Sequence, residues 1–177
     1  MKGPGNLFLV GMMGAGKTTV GRLLARRLKR RFFDCDLEIE RRCGVKVPTI
    51  FDIEGEAGFR LREMQTLEQL TALEDIVLAT GGGAVLADEN RRRLAARGTV
   101  VYLCARPEEL YERVRQDRNR PLLATRDPLG RLRELHAERD PIYRAIADVV
   151  IDSGRQNIQS LTRNLADELS QRWKASA

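Results

Sequence analysis

The stretch from Leu7 to Val20, LFLVGMMGAGKTTV, constrains the fold more than any other part of the chain. Its apolar start suits a buried strand, and it runs directly into a glycine-rich turn. Gly11, Gly16, Lys17 and Thr18 satisfy the spacing G-x-x-x-x-G-K-[ST]. Glycines reach backbone conformations closed to other residues, so the N–H groups of Gly14, Ala15, Gly16, Lys17, Thr18 and Thr19 can converge on phosphate oxygens. Lys17 adds a mobile positive charge for the β- and γ-phosphates. Thr18 offers a hydroxyl suited to Mg²⁺, which prefers oxygen ligands and keeps several waters. Val20, Leu23, Leu24 and Leu28 then recur at helical spacing, so the positive end of a helix dipole faces the same anion. A glycine-rich turn could merely join a strand to a helix, but the flanking elements here are those a nucleoside triphosphate cradle requires. The acceptor is left open.

At 177 residues the chain suffices for one domain with a full core and is short for two, so residues 1–177 read as a single domain. No apolar run approaches the ~18 residues of a membrane span, and MKGPGN lacks the apolar core of a secretion signal. The expectation is a cytoplasmic protein without a membrane partner. Cys35, Cys43 and Cys104 are odd in number and widely spaced, which argues against a disulfide scaffold or a zinc site. A net charge of +6 invites a nucleic-acid partner, yet the arginines are spread over several helices and aromatic residues make up only 5%. A basic enzyme acting on anionic small molecules accounts for the same balance, with no nucleic-acid partner and a monomeric state expected.

Further along, Phe32 and Phe33 suit a short strand and Leu37 onward a helix, which puts Asp34 and Asp36 at a strand's C-terminal edge, where open parallel sheets collect ligands. Asp36 could instead cap the helix that follows. Pro48 fits the first turn of a short helix; Gly55 and Gly58 interrupt the pattern; Leu61, Met64, Leu67, Leu70 and Leu73 mark the face of a longer helix. Arg60 opens that helix, where a cation is disfavoured unless an anion partners it. Ile76–Ala79 reads as a strand covered on both faces and ends in three glycines, Gly81 to Gly83. Asp88 looks like an N-cap and Gly98 like a helix stop before a strand over Thr99–Leu103. After a helix over Pro107–Arg115, QDRNRPLLATRDPLG breaks every periodic pattern and reads as a mobile lid. Helical spacing resumes over Leu129–Arg139, Ala147–Ile151 is β-branched, and Ile158, Leu161, Leu165 and Leu169 mark a final helix. Strands near 6–10, 31–34, 76–79, 99–103 and 147–151, separated by helices, predict an α/β fold with a five-stranded parallel sheet flanked by helices.

Taken together, GMMGAGKTT, FFDCD, IFDIEGEAGFR, ATGGG, RNRPLL and ERDPIY resemble, in order and spacing, shikimate kinase over nearly the whole chain. The resemblance implies a P-loop, nucleoside monophosphate kinase-like fold with a helical substrate-binding insertion at about 35–62 and a lid at about 114–127. It implies transfer of the ATP γ-phosphoryl group to the 3-hydroxyl of shikimate, with Mg²⁺ required. By motif, Asp36 would hold the shikimate hydroxyls, Arg60 and Arg139 its carboxylate, and Gly82 would approach through its N–H. Thr18 would bind Mg²⁺ directly and Asp34 through water, because the third strand ends in TGGG rather than an acidic D-x-x-G. Lys17 and Arg120 would neutralise the transferring phosphates, and Arg113 and Gln156 match positions that contact adenine. Asp36 would either accept the hydroxyl proton or only orient the nucleophile. The competing expectations are a gluconate or nucleoside monophosphate kinase, a non-catalytic nucleotide switch, and a nucleic-acid-binding module.

Overall fold

The computed structural model describes residues 5–154 and 156–175. Asn6–Val10 (β1), Arg31–Asp34 (β2), Ile76–Ala79 (β3), Gly98–Cys104 (β4) and Val149–Asp152 (β5) form one sheet in the order β2-β3-β1-β4-β5, with every pairing parallel. The central strand β1 is buried at every position, in register with β3 through Phe8 and Leu78 and with β4 through Phe8 and Val100. Burying each such apolar side chain contributes about 1.5–3 kcal/mol, which makes this middle of the sheet the anchor of the core. Its one polar residue, Asn6, is satisfied: Nδ2 donates to Leu73 O at 2.6 Å and Oδ1 accepts from Ile76 N at 3.1 Å, tying the entry of β3 to β1.

Among the described residues, seven α-helices connect and cover the strands: Lys17–Arg27 (α1), Cys35–Cys43 (α2), Val47–Thr71 (α3), Asp88–Arg97 (α4), Pro107–Val114 (α5), Pro128–Ile146 (α6) and Ile158–Ala175 (α7). The chain visits β2 and β3 on one side of β1 before crossing to β4 and β5 on the other. Strand order therefore reverses at β1, and the crevice beyond its C-terminal end is where such sheets bind ligands.

Several local expectations are corrected. Asp34, not Asp36, caps α2: its Oδ1 accepts from Leu37 N at 3.1 Å, and the helix already starts at Cys35. Asp88 lies inside α4, whose N-cap is Ala87, and its carboxylate pairs with Arg91 and Arg92. Gly98, by contrast, does stop the helix as expected: it is the C-cap of α4, and its extended backbone also begins β4. In α3 the helix bends at Gly55 (φ 69°, ψ −179°), a conformation that favours glycine, while Gly58 stays helical. That bend sets the helix register after it, so the buried face runs through Phe59, Glu63, Thr66, Leu67 and Leu70, and Leu61 is 56% exposed. Ile158 lies on the exposed side of α7. The unpatterned stretch between α5 and α6 contains one short 3-10 turn, Pro121–Leu123.

Candidate active site

A cavity of about 670 Å³ opens along the C-terminal edge of the sheet, where β1, β2 and β3 end. At its phosphate end the loop after β1 turns through left-handed glycines, Gly14 (φ 80°) and Gly16 (φ 95°), into the first turn of α1. Lys17 is buried there, its Nζ donating to Gly11 O at 2.7 Å and Met12 O at 2.8 Å. Burial pulls its pKa down to about 8, helped by the Arg120 charge and opposed by Asp36 and Asp34. Gly11 and Ala15 are predicted phosphate-loop residues that do not line the cavity; the Ala15 side chain joins the core and its N–H is held by Met12 O.

Thr18 Oγ1 donates to Asp34 Oδ2 at 2.6 Å, joining α1 to the end of β2. These two oxygens fit a cation that completes its shell with waters and phosphate oxygens. Among the described residues no group of three or more His, Cys, Asp or Glu side chains could cage a metal by itself. Arg120 lines the same end, its Nε 3.0 Å from Asp117 Oδ2. Arg113 donates to Gly14 O at 2.9 Å and, through its other nitrogen, to Ser153 O at 2.6 Å, so α5 ties the phosphate loop to the segment after β5. Gln156 is exposed at that rim.

The other end is built from α2, α3, the glycines after β3, and α6. Asp36 sits in the first turn of α2, facing inward, and its Oδ1 is buried without a hydrogen-bond partner. Burial raises its pKa to about 6, and Asp34 pushes the same way against Lys17, Arg120 and Arg60. Arg60 does not open a helix as expected but lies inside α3, past the bend at Gly55, where it pairs along the helix: Nη1 is 2.9 Å from Glu63 Oε1 and Nη2 is 3.2 Å from Glu56 Oε1. Arg139 is only 2% exposed, and its Nε has no partner. One turn further along α6, the Tyr143 hydroxyl donates to Gly82 O, fixing the glycine loop against the helix that carries Arg139. The glycines are there for room. A Cβ on Gly82 would lie 3.4 Å from Arg139 Nη1, one on Gly83 2.2 Å from Arg60 Nη2, and one on Gly81 2.6 Å from Glu63 Oε2.

The structure thus brings Lys17, Thr18, Asp34, Asp36, Arg60, Gly82, Arg113, Arg120, Arg139 and Gln156 to one cavity. Sequence reading missed Glu63 and Tyr143. Glu63 is 1% exposed, with a pKa raised to about 7, first by burial and then by Asp36, against the pull of Arg60. A carboxylate four residues after Phe59 and four before Leu67, inside an apolar stripe, was the available signal.

Comparison with known proteins agrees with this geometry. Residues 13–170 match the shikimate kinase family profile. The shikimate kinase of Thiobacillus denitrificans is 60% identical over 164 residues, covering 93% of this chain and 90% of that protein. A solved structure of shikimate kinase from Acinetobacter baumannii in complex with shikimate superposes with a TM-score of 0.89 at 47% identity, covering 97% of this chain and 93% of that one. A gluconokinase from Sinorhizobium meliloti 1021, at 16% identity and a TM-score of 0.59 over 99% of this chain and 97% of that one, shares the fold alone. With a phosphate cradle and buried, oppositely charged groups in one cavity, and relatives of this closeness over nearly its whole length, the chain belongs to the shikimate kinase family.

Proposed function

We propose that this cavity transfers the γ-phosphoryl group of ATP to the 3-hydroxyl of shikimate, giving ADP and shikimate 3-phosphate, a step in chorismate and aromatic amino-acid synthesis. The observation that carries the reading is the sharing of one cavity by two chemistries: a phosphate loop with Lys17, and a buried Asp36 beside Arg60 and Arg139. A polyhydroxylated carboxylate asks for both cations and a hydrogen-bond-accepting anion.

The substrate carboxylate pairs with Arg60 and Arg139, the N–H of Gly82 approaches the ring, and Asp36 accepts a hydrogen bond from the hydroxyl and orients it. The hydroxyl oxygen forms a bond to the γ-phosphorus, the bond to the β,γ-bridging oxygen breaks with its electron pair left on ADP, and Asp36, ionised above about pH 6, takes the hydroxyl proton. Lys17 leaves the Gly11 and Met12 carbonyls for the phosphates, and Arg120 closes over them from a lid at about 114–127. The loop N–H groups of Gly14, Gly16, Lys17, Thr18 and Thr19 hold the phosphates, and Arg113 and Gln156 border the adenine. Thr18 would hold Mg²⁺ directly and Asp34 through water, and the ion, when bound, would neutralise charge on the transferring oxygens. The helical segment at about 35–62 is assigned as the substrate-binding insertion of a single domain.

We read the chain as a cytoplasmic monomer acting on small molecules, without nucleic-acid or membrane partners. Among the described residues no helix is long and apolar enough to cross a membrane. Sedimentation at the monomer mass of 20.0 kDa, and no salt-sensitive binding of duplex DNA or RNA, are the expected results. The central test is ADP release with shikimate, gluconate and nucleoside monophosphates as acceptors. Turnover on shikimate is expected, and turnover on another acceptor with none on shikimate would overturn the reading.

A further inference from the structure

Glu63 is a buried carboxylate with half of its hydrogen bonding missing. Oε1 accepts from Arg60 Nη1 at 2.9 Å, whereas Oε2 is buried with no partner. The Oδ1 of Asp36 is a second buried acceptor without a donor, and both oxygens lie against one side of Gly81: a Cβ there would be 2.6 Å from Glu63 Oε2 and 2.9 Å from Asp36 Oδ1. The groups that face Glu63 are Asp36 and Cys35 from α2, Arg60 from its own helix, and Arg139 and Tyr143 from α6. Arg60 and Arg139 thus already attract Glu63, and Lys17, Arg120 and Arg60 already attract Asp36, before any substrate arrives.

Resting on the reading that the shikimate carboxylate docks on Arg60 and Arg139, we propose that Glu63 takes up a proton from solvent when shikimate binds. The incoming anion competes for Arg60, and a third negative charge in a buried pocket favours the neutral form of the carboxylate it displaces. A proton on Oε2 also supplies the one donor that this pair of acceptors lacks, and no covalent bond changes. Glu63 is thus a positioning residue whose charge is exchanged for that of the substrate. In the free protein Glu63 titrates near 7, so the uptake falls in the working pH range.

The test is calorimetric titration of shikimate into the nucleotide-free protein one pH unit above the Glu63 value of about 7, in phosphate and in Tris. The buffer dependence of the binding heat counts protons. An uptake approaching one proton is expected for the wild type and close to none for Glu63→Gln, whose amide keeps the size and the contact to Arg60. Wild-type affinity falls by up to about tenfold per pH unit above about 7, while the variant is flat over that range. Binding without uptake, or the same uptake in the variant, which would assign the proton to Lys17 or another group, overturns the inference and leaves the function intact. Absence of shikimate binding overturns the function itself. Should the variant not fold, the wild-type infrared difference spectrum decides: a protonated carboxyl band appearing with shikimate supports the proposal, and no band refutes it.

Discussion

Thr18 Oγ1 and Asp34 Oδ2 lie 2.6 Å apart, so one carboxylate serves the first turn of α1 while its other oxygen caps α2. The two tasks can be separated. Asp34→Asn keeps an oxygen for the cap but loses charge, and is expected to raise the Mg²⁺ needed for half-maximal turnover with little change in melting temperature. Asp34→Ala should do the same and, by losing the cap, also destabilise by about 1 kcal/mol. Magnesium titrations of turnover, set beside thermal melts of both variants, check the split; an unchanged Mg²⁺ requirement in both removes Asp34 from the ion.

Asp36 and Lys17 bracket a pH window. Asp36, raised to about 6 by burial, must be ionised to accept from the hydroxyl, and Lys17, lowered to about 8 by burial, must stay protonated to meet the phosphates. A bell-shaped kcat/KM is expected from initial rates across pH, with an acid limb near 6, a basic limb that starts near 7 as Glu63 ionises, and a steeper fall near 8 as Lys17 loses its proton. In Glu63→Gln the acid limb should stay in place.

Burying Asp36 costs stability. Its folded pKa is raised from 3.8 to about 6, so its contribution to stability is fully present below 3.8 and is lost as pH rises through about 6. At neutral pH the ionised side chain is a net burden, and Asp36→Asn is expected to gain about 2 kcal/mol against urea while losing most turnover and keeping nucleotide affinity. A variant that is less stable at neutral pH, or that turns over normally, contradicts this account.

Gly83 leaves room for Arg60. Its backbone (φ −91°) is open to alanine, but the added methyl would sit 2.2 Å from Arg60 Nη2, at the movable end of the side chain. Gly83→Ala should therefore fold normally, displace the guanidinium, and raise KM for shikimate by ten- to a hundredfold, the worth of a charge-assisted contact at about 1.5–3 kcal/mol. KM for ATP should not move; equal losses for both substrates would place Arg60 outside the acceptor site.

Lys17→Ala is expected to remove most turnover with an unchanged circular-dichroism spectrum, since its bonds go to loop carbonyls rather than to the core. Arg139→Ala should weaken shikimate far more than ATP. A collapsed spectrum in the first, or parallel losses in the second, would make these residues structural.

The strand-loop-helix unit from Asn6 to Arg27 was legible because its information is local: an apolar strand, glycines at left-handed positions, and helical spacing after Lys17. The other strands were legible for the same reason, to within one or two residues. The face of α3 was not, because the bend at Gly55 resets the register, so Leu61 lies exposed and Glu63 turns inward. Nor could local pattern tell which of Asp34 and Asp36 caps α2, since both have the right chemistry and only the start of the helix separates their roles.

By itself, then, the order of residues determined the parallel α/β scaffold, the phosphate cradle and the inventory of charged groups, all of which follow from hydrogen-bonding periodicity and short-range backbone preference. Only the tertiary structure decided that Glu63 stands against Asp36 beside Gly81, that Arg60 and Arg139 meet in one cavity, and that Asp36 and Lys17 titrate near the working pH. Those properties depend on desolvation and on charges brought together from distant parts of the chain, which exist only after the sheet has assembled.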